Sequence, residues 1–186
     1  NDQANIIWEW HFYDHLIQDY DPEISNYGVI AENPQLFNIY AQDNFDDYTH
    51  LNCLDFNPEL NQIIFSSRNL NEIFIIDHST TTLEAEEHTG GIYGKGGDFL
   101  YRWGNPENYN RGNSSNHILG DQHSVNWIPE GYPGEGNLIL YNNQHSNNSS
   151  AALEFVPPLQ EDGNYYIDDD AYGPLSWEWL YQGGFF

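Results

Sequence analysis

Histidine, asparagine and arginine stand in one stretch of this chain in an order suited to chemistry on an anion. His50 and Asn52 open a segment that turns at Asn57-Pro58 and returns through apolar residues to Ser66-Ser67-Arg68. A strand-turn-strand unit would set all three polar groups on one rim. The chain has only 4 Lys plus Arg against 29 Asp plus Glu, so an arginine kept opposite a histidine and an asparagine marks a candidate site. Its rigid fork of donors fits a sulfate, phosphate or carboxylate. The alternative is a bridge to a nearby acid, which at a surface is worth only about 0–1 kcal/mol. Asn52 alternates with Leu51, so its side chain shares a face with His50. His123, at the head of HSVNWI, takes the matching place one unit later. If the two units are neighbours, both imidazoles reach one rim, where they can act as acid, base, nucleophile or ligand. Alternatively, each histidine merely caps a strand and bonds a loop carbonyl.

The elements that must position these residues form a series. Leu51 to Phe56, Gln62 to Ser67, Glu72 to Asp77 and Phe99 to Trp103 read as strands, the last ended by Gly104-Asn105-Pro106. A polar, Gly-rich excursion occupies residues 78–98. The series then recurs as His123 to Ile128, Asn137 to Asn142, Ala151 to Val156 and Leu175 to Tyr181. Trp8-Glu9-Trp10 and Trp177-Glu178-Trp179 are the same word, so Asn5 to Phe12 is expected as the last strand of a preceding unit. Four strands per repeated unit predict an all-β chain built as blades of a β-propeller. The expected divisions are a strand over 1–12, a long loop over 13–49 with one helical turn near Pro34 to Ile39, a blade over 50–104, a connecting loop over 105–122 and a blade over 123–181. The rival architecture is a β-sandwich. Two blades cannot close a ring, so the chain is expected to be part of a propeller completed by residues outside it or by other chains, a homo-oligomer included. Asn1 is no natural initiator and points the same way.

Composition excludes several partners. A formal charge of −25 leaves phosphate repulsion uncompensated, which argues against nucleic acid and anionic membrane surfaces. No apolar run is long enough to span a bilayer, and no signal-peptide pattern opens the chain. Cys53 is the only cysteine; its apolar setting predicts a buried, inert thiol.

The words HLNCLDFNPELNQIIFSSRNLNEIFIIDHST, GKGGDFLYRWGNPENY and DQHSVNWIP…GNLILYNN resemble the bacterial aryl-sulfate sulfotransferases, over nearly the whole chain from Trp8 to Trp179. The most specific parts are His-x-Asn followed by Ser-Ser-Arg, and RWGNP followed by Gln-His. The resemblance implies a six-bladed propeller with its site in the central channel. It also implies sulfuryl transfer from a phenolic sulfate ester to a phenol without a nucleotide donor or other cofactor. On that resemblance His123 becomes transiently sulfated, while His50, Asn52 and Arg68 hold the sulfuryl oxygens and His50 also moves protons. An aryl sulfate donor, a phenolic acceptor and a periplasmic or secreted location follow in the same way. The family's further catalytic histidine belongs to an earlier blade; His15 is weighed as its substitute, and His11 is read as structural. The alternative function is a catalytically silent propeller used for binding or assembly.

Acidic clusters at Asp168-Asp169-Asp170, Asp19/Asp21 and Asp43/Asp46/Asp47 are of a kind Ca²⁺ uses, without an EF-hand spacing; solvated acidic loops are the competing reading. His78, His88, His117 and His145 are expected as surface loop residues. Asn113, Asn147 and Asn148 head glycosylation sequons.

Overall fold

Asparagines close the tight turns that order this chain. The computed structural model describes residues 4–42, 46–146, 149–168, 171–174 and 176–184. Two short strands, β1 (Leu16–Ile17) and β2 (Phe37–Asn38), pair in parallel ahead of the main sheets. The first main sheet is an antiparallel meander of β3 (Leu51–Asn57), β4 (Gln62–Ser67), β5 (Glu72–Asp77) and β6 (Tyr101–Trp103), neighbours in sequence order. Asn57 Oδ1 accepts the amides of Glu59 and Leu60, and Asn61 and Asn71 take left-handed backbones, φ 50° and 55°, at the two hairpin turns. Asparagine tolerates that region better than most residues.

The second sheet repeats the first with β7 (His123–Trp127), β8 (Leu138–Ser146), β9 (Ser149–Val156) and β10 (Ser176–Gly184). Among the described residues no strand crosses between the two sheets and neither is closed on itself. The first strands, β3 and β7, lie side by side: Trp127 N donates to Asp55 Oδ2 at 3.0 Å, and Val125 N approaches Cys53 Sγ at 3.0 Å. Both carry a register shift near their start, after Leu51 and after His123.

All six residues of β5 are buried, which a sheet covered on both faces requires. Ile64, Ile73, Ile75, Tyr101 and Trp103 face the second sheet and pack with Val125, Leu138, Leu140, Leu153 and Phe155. Phe65, Phe74, Ile76 and Phe99 face the other way, toward Phe37 and the partly buried Trp8, Trp10 and Phe12. Residues 5–12 therefore use their aromatic character for packing. The strand expected there makes no ladder; the chain runs irregularly into a 3₁₀ turn at Phe12–His15. In the same way the helical turn expected near Pro34 to Ile39 lies earlier, at Ile30–Glu32, and β2 occupies its place. A one-turn helix, α1 (Thr82–Ala85), interrupts the excursion after β5, with Thr81 and Glu84 forming a capping box. His145 sits in β8, not in a loop.

Between β5, β6 and the loops lies one buried ion pair. Arg102 Nε and Nη2 reach the two carboxylate oxygens of Glu72 at 2.8 and 2.5 Å, with both side chains essentially inaccessible. Asn108 Nδ2 adds a third donor to Glu72 at 2.8 Å, Arg102 Nη1 donates to Leu36 O, and the guanidinium lies 4.4 Å from the Tyr109 ring centroid. Removing Arg102 strands the carboxylate, so Arg102→Ala should cost about 3–5 kcal/mol in urea denaturation, against about 0–1 kcal/mol for the half-exposed Arg68→Ala. Equal costs would overturn this ranking.

Buried phenols supply a pH prediction. Burial pushes Tyr172 up to about 12, and Tyr101, Tyr109 and Tyr165 are raised by the same cause. A phenol that holds its proton more tightly when folded contributes stability below its unfolded value. That contribution fades as pH climbs past about 10. Phenolate absorbance from these four tyrosines should appear together with loss of the fold; their ionisation within an intact fold would refute the reading.

Candidate functional site

Arg68 and Asn52 both bond the short segment Asp121–Gln122–His123, and His50 is tied to Arg68 through its backbone carbonyl. Arg68 follows β4 and its amide donates to His50 O at 3.1 Å; one unit later Gln144 N donates to Gly120 O at 2.9 Å. The two side chains then converge. Arg68 Nη2 lies 3.0 Å from Asp121 Oδ2, and Gln144 Nε2 donates to the same oxygen. Arg68 Nη1 is held by Asn69 Oδ1 at 2.9 Å. Arg68 therefore has the acidic partner of the competing reading as well as the rim position. With side-chain exposures of 36% and 26%, the bridge belongs to the weak, screened class that an incoming anion can displace.

Asn52 sits in the β3 bulge, and its Nδ2 donates to Gln122 O at 2.7 Å, while its Oδ1 is buried without a partner. Gln122 is fully buried and donates to Ser66 Oγ, Ser67 O and Glu72 O at 2.8–3.0 Å. It locks the segment carrying His123 to the hairpin carrying Arg68. Asp121 N donates to Asn71 Oδ1 at 3.0 Å, a second tie between the same pieces.

His123 is the first residue of β7 and is half-buried. Its Nδ1 lies 2.9 Å from Asp121 O, a group that can only accept, and 3.0 Å from Asn143 Nδ2. Asn143 Nδ2 itself donates to Asp121 O. Bonded to Asp121 O, a neutral ring carries its proton on Nδ1 and its lone pair on Nε2; bonded to the Asn143 amide, it carries the opposite tautomer. His50 precedes β3 by one residue, in a left-handed backbone at φ 45°. Its Nδ1 pairs with Asp47 Oδ2 at 2.5 Å, and both side chains are exposed, 40% and 55%. Neither ring's Nε2 has a hydrogen-bond partner among the described residues.

Other expectations fare differently. His15 does not join this group: it is fully buried, with Nδ1 on Asp98 and Nε2 on Ala85 O, both 2.8 Å. His78 is half-buried against Trp8 and Asn61, not free on the surface, and His117 is exposed as expected. His11 stacks on Tyr13 between Glu9 and Asp14. Cys53 is half-buried and its thiol is pushed up by burial, as an inert thiol requires. Asp21 caps the amide of Glu23, and Asp168 that of Ala171. Asp43, Asp169, Asp170, Asn147 and Asn148 lie outside the described residues. Asp121 and Asn143 were not singled out by sequence, and Gln122 only as part of the Gln-His word. Asp121 and Gln122 stand beside His123 in the word DQHS, and Asn143 in LYNN, but no spacing announces their bonds.

The residues offer an imidazole whose Nε2 is free of partners, a second imidazole backed by a carboxylate, and a guanidinium held by a half-exposed acid. Such a set fits transfer of a group that carries negative charge on several oxygens. No helix among the described residues is long and apolar enough to cross a membrane. No curated protein and no solved structure matches the chain significantly. The family model "Arylsulfotransferase (ASST)" matches residues 1–162, a span that contains every residue of the cluster. The chain belongs to the arylsulfotransferase family.

Proposed function

We propose that this chain forms two blades of a β-propeller and moves a sulfuryl group from an aryl sulfate to a phenol through His123. The observation that supports the reading is the Nδ1 contact of His123 with Asp121 O; taken as the donor bond in preference to the Asn143 contact, it makes Nε2 the nucleophile. Nε2 attacks sulfur, the sulfur–aryl oxygen bond breaks, and the leaving phenolate takes a proton from His50. An acceptor phenol then gives its proton to His50 while its oxygen attacks the same sulfur, and the nitrogen–sulfur bond breaks to restore the imidazole. Arg68 and the amide group of Asn52 hold the sulfuryl oxygens, where charge collects in the transition state. Asp47 orients His50 through its Nδ1. Two displacements at one nucleophile give ping-pong kinetics. A periplasmic or secreted setting suits both the family and the acidic surface.

The full-length protein, incubated with a chromogenic aryl sulfate and no acceptor, should gain the mass of one SO₃ group on His123. His123→Ala should lose both adduct and transfer, and Arg68→Ala should lower kcat by about 10²–10³-fold, the scale for one charge-stabilising donor. Transfer that persists in His123→Ala would sink the mechanism; a protein with neither adduct nor transfer would favour the silent binding module.

A separate measurement addresses the nucleophile alone. In ¹⁵N-resolved NMR of the resting protein, neutral His123 should carry its proton on Nδ1. A ring protonated on Nε2 instead would remove the basis for assigning it the attack.

A further inference from the structure

Away from the His123 cluster, three ligand-type side chains from distant parts of the sequence meet at one carboxylate oxygen. His15 Nδ1 and His88 Nδ1 lie 2.8 and 2.7 Å from Asp98 Oδ1, and the three groups form the one His/Cys/Asp/Glu cluster of metal-binding geometry among the described residues. His15 and Asp98 are buried, 0% and 3% exposed, whereas the His88 ring is open to solvent.

The surroundings of His15 are built to aim it. Trp10 stacks on its ring, with centroids 5.4 Å apart and planes 5° from parallel, and Trp10 Nε1 donates to Gly97 O at 2.7 Å. His15 Nε2 faces Ala85 O at the end of α1. Gly97 leaves the room for this: a Cβ there would stand 2.2 Å from Ala85 O and 2.5 Å from His15 Nε2. An imidazole whose far N–H is fixed on a backbone carbonyl and whose near nitrogen is aimed at a carboxylate and a second imidazole has the orientation of a metal ligand. Of the three, His88 lines a cavity of about 550 Å³, together with Asp14, Tyr13 and Tyr27, so the exposed side of the cluster adjoins space for water or a further ligand.

We propose that His15 Nδ1, His88 Nδ1 and Asp98 Oδ1 bind one divalent transition-metal ion of the zinc class, with a coordination position open to this cavity. Two imidazoles and one carboxylate suit zinc, cobalt or nickel better than the oxygen-seeking Ca²⁺ or Mg²⁺. The ion takes the place of the protons that the two Nδ1 atoms share with Asp98, while the bond from Nε2 to Ala85 O stays. Tetrahedral bonds of about 2.0–2.1 Å put neighbouring ligand atoms about 3.3 Å apart. Asp98 and the exposed His88 need to draw back by about half an ångström to admit it. The local competitor is Lys95, close enough to Asp98 to feel its charge. This site is independent of the chemistry assigned to His123.

Titration of the full chain with Zn²⁺ against a chromophoric chelator should give a one-to-one complex that excess Ca²⁺ does not displace. Co²⁺ should give the visible absorption of a tetrahedral ion. His88→Ala removes an exposed ring and should keep the fold by circular dichroism, yet weaken binding by about tenfold or more; Asp98→Asn should do the same. The exposed His117→Ala should leave affinity unchanged. Two results would overturn the proposal: no one-to-one complex in the unaltered chain, or an affinity that neither His88→Ala nor Asp98→Asn changes. The second would mean adventitious binding to the acidic surface only.

Discussion

The ion pair between Glu72 and Arg102 is the fixed point from which the candidate site is built. Burying two charges is costly, and the cost is offset only when nearly every donor and acceptor finds a partner. Here Arg102 holds both Glu72 oxygens and the carbonyl of Leu36, and Asn108 bonds Glu72 and also Leu70 O at 2.8 Å. Leu70 belongs to the turn that begins at Arg68. The Glu72 carbonyl in turn accepts from Gln122, whose neighbour is His123. Thus one buried residue ties β5 and the Arg68 turn through its carboxylate, and the head of β7 through its backbone carbonyl. The backbone that carries Arg68 and His123 is anchored at Glu72, away from both side chains.

With only 4 cationic side chains in the chain, where each one goes matters more than usual. Arg102 is spent inside, Arg111 donates to Ala31 O, and Lys95 lies near Asp98 and Asp162 with its proton affinity lowered by burial. Arg68 remains as the cation on the rim, and Asp121 partly cancels it. A surface this acidic repels an anionic aryl sulfate at long range, but salt screens that field beyond about 8–10 Å. On the proposed function, recognition would be decided at contact, where the half-exposed Asp121 bridge is weak enough to give way to a sulfuryl oxygen. The same exchange offers a reason for Gln144: by donating to Asp121, it can keep that carboxylate in place after Arg68 turns to the ligand.

Much of the sheet architecture was legible. The spans 62–67 and 72–77 were read as the structure has them, because a buried apolar run bounded by Asn turns has few other solutions. The first twelve residues misled because β-branched and aromatic composition reports a half-buried surface, not a ladder. Trp8, Trp10 and Phe12 cover a sheet face without joining it. The capping box at Thr81 and Glu84 was readable in principle, yet it lay inside a Gly-rich stretch that reads as loop. In the candidate site, His50, Asn52, Arg68 and His123 stood out by type and repeat position. Asp121 did not, since an acid in so acidic a chain carries little information until its partners are known. His15, His88 and Asp98 were invisible for a different reason: no local spacing joins them, and only the docking of the segment before β1 against the loop before β6 brings them together.

Two of the histidine–carboxylate pairs among the described residues differ sharply in burial. His50 and Asp47 meet at the exposed rim, so the free edge of the ring can trade protons with a substrate and with water. His15 and Asp98 meet where the ring is inaccessible and both nitrogens face oxygen. The second ring, held at both nitrogens, suits binding or bracing. The exposed first ring, held at one nitrogen, suits the proton-moving role proposed for it. His123 lies between these extremes: one nitrogen is fixed on a backbone carbonyl and the other is open. A nucleophile requires that combination, because the fixed side sets the tautomer and aim while the open side forms the bond.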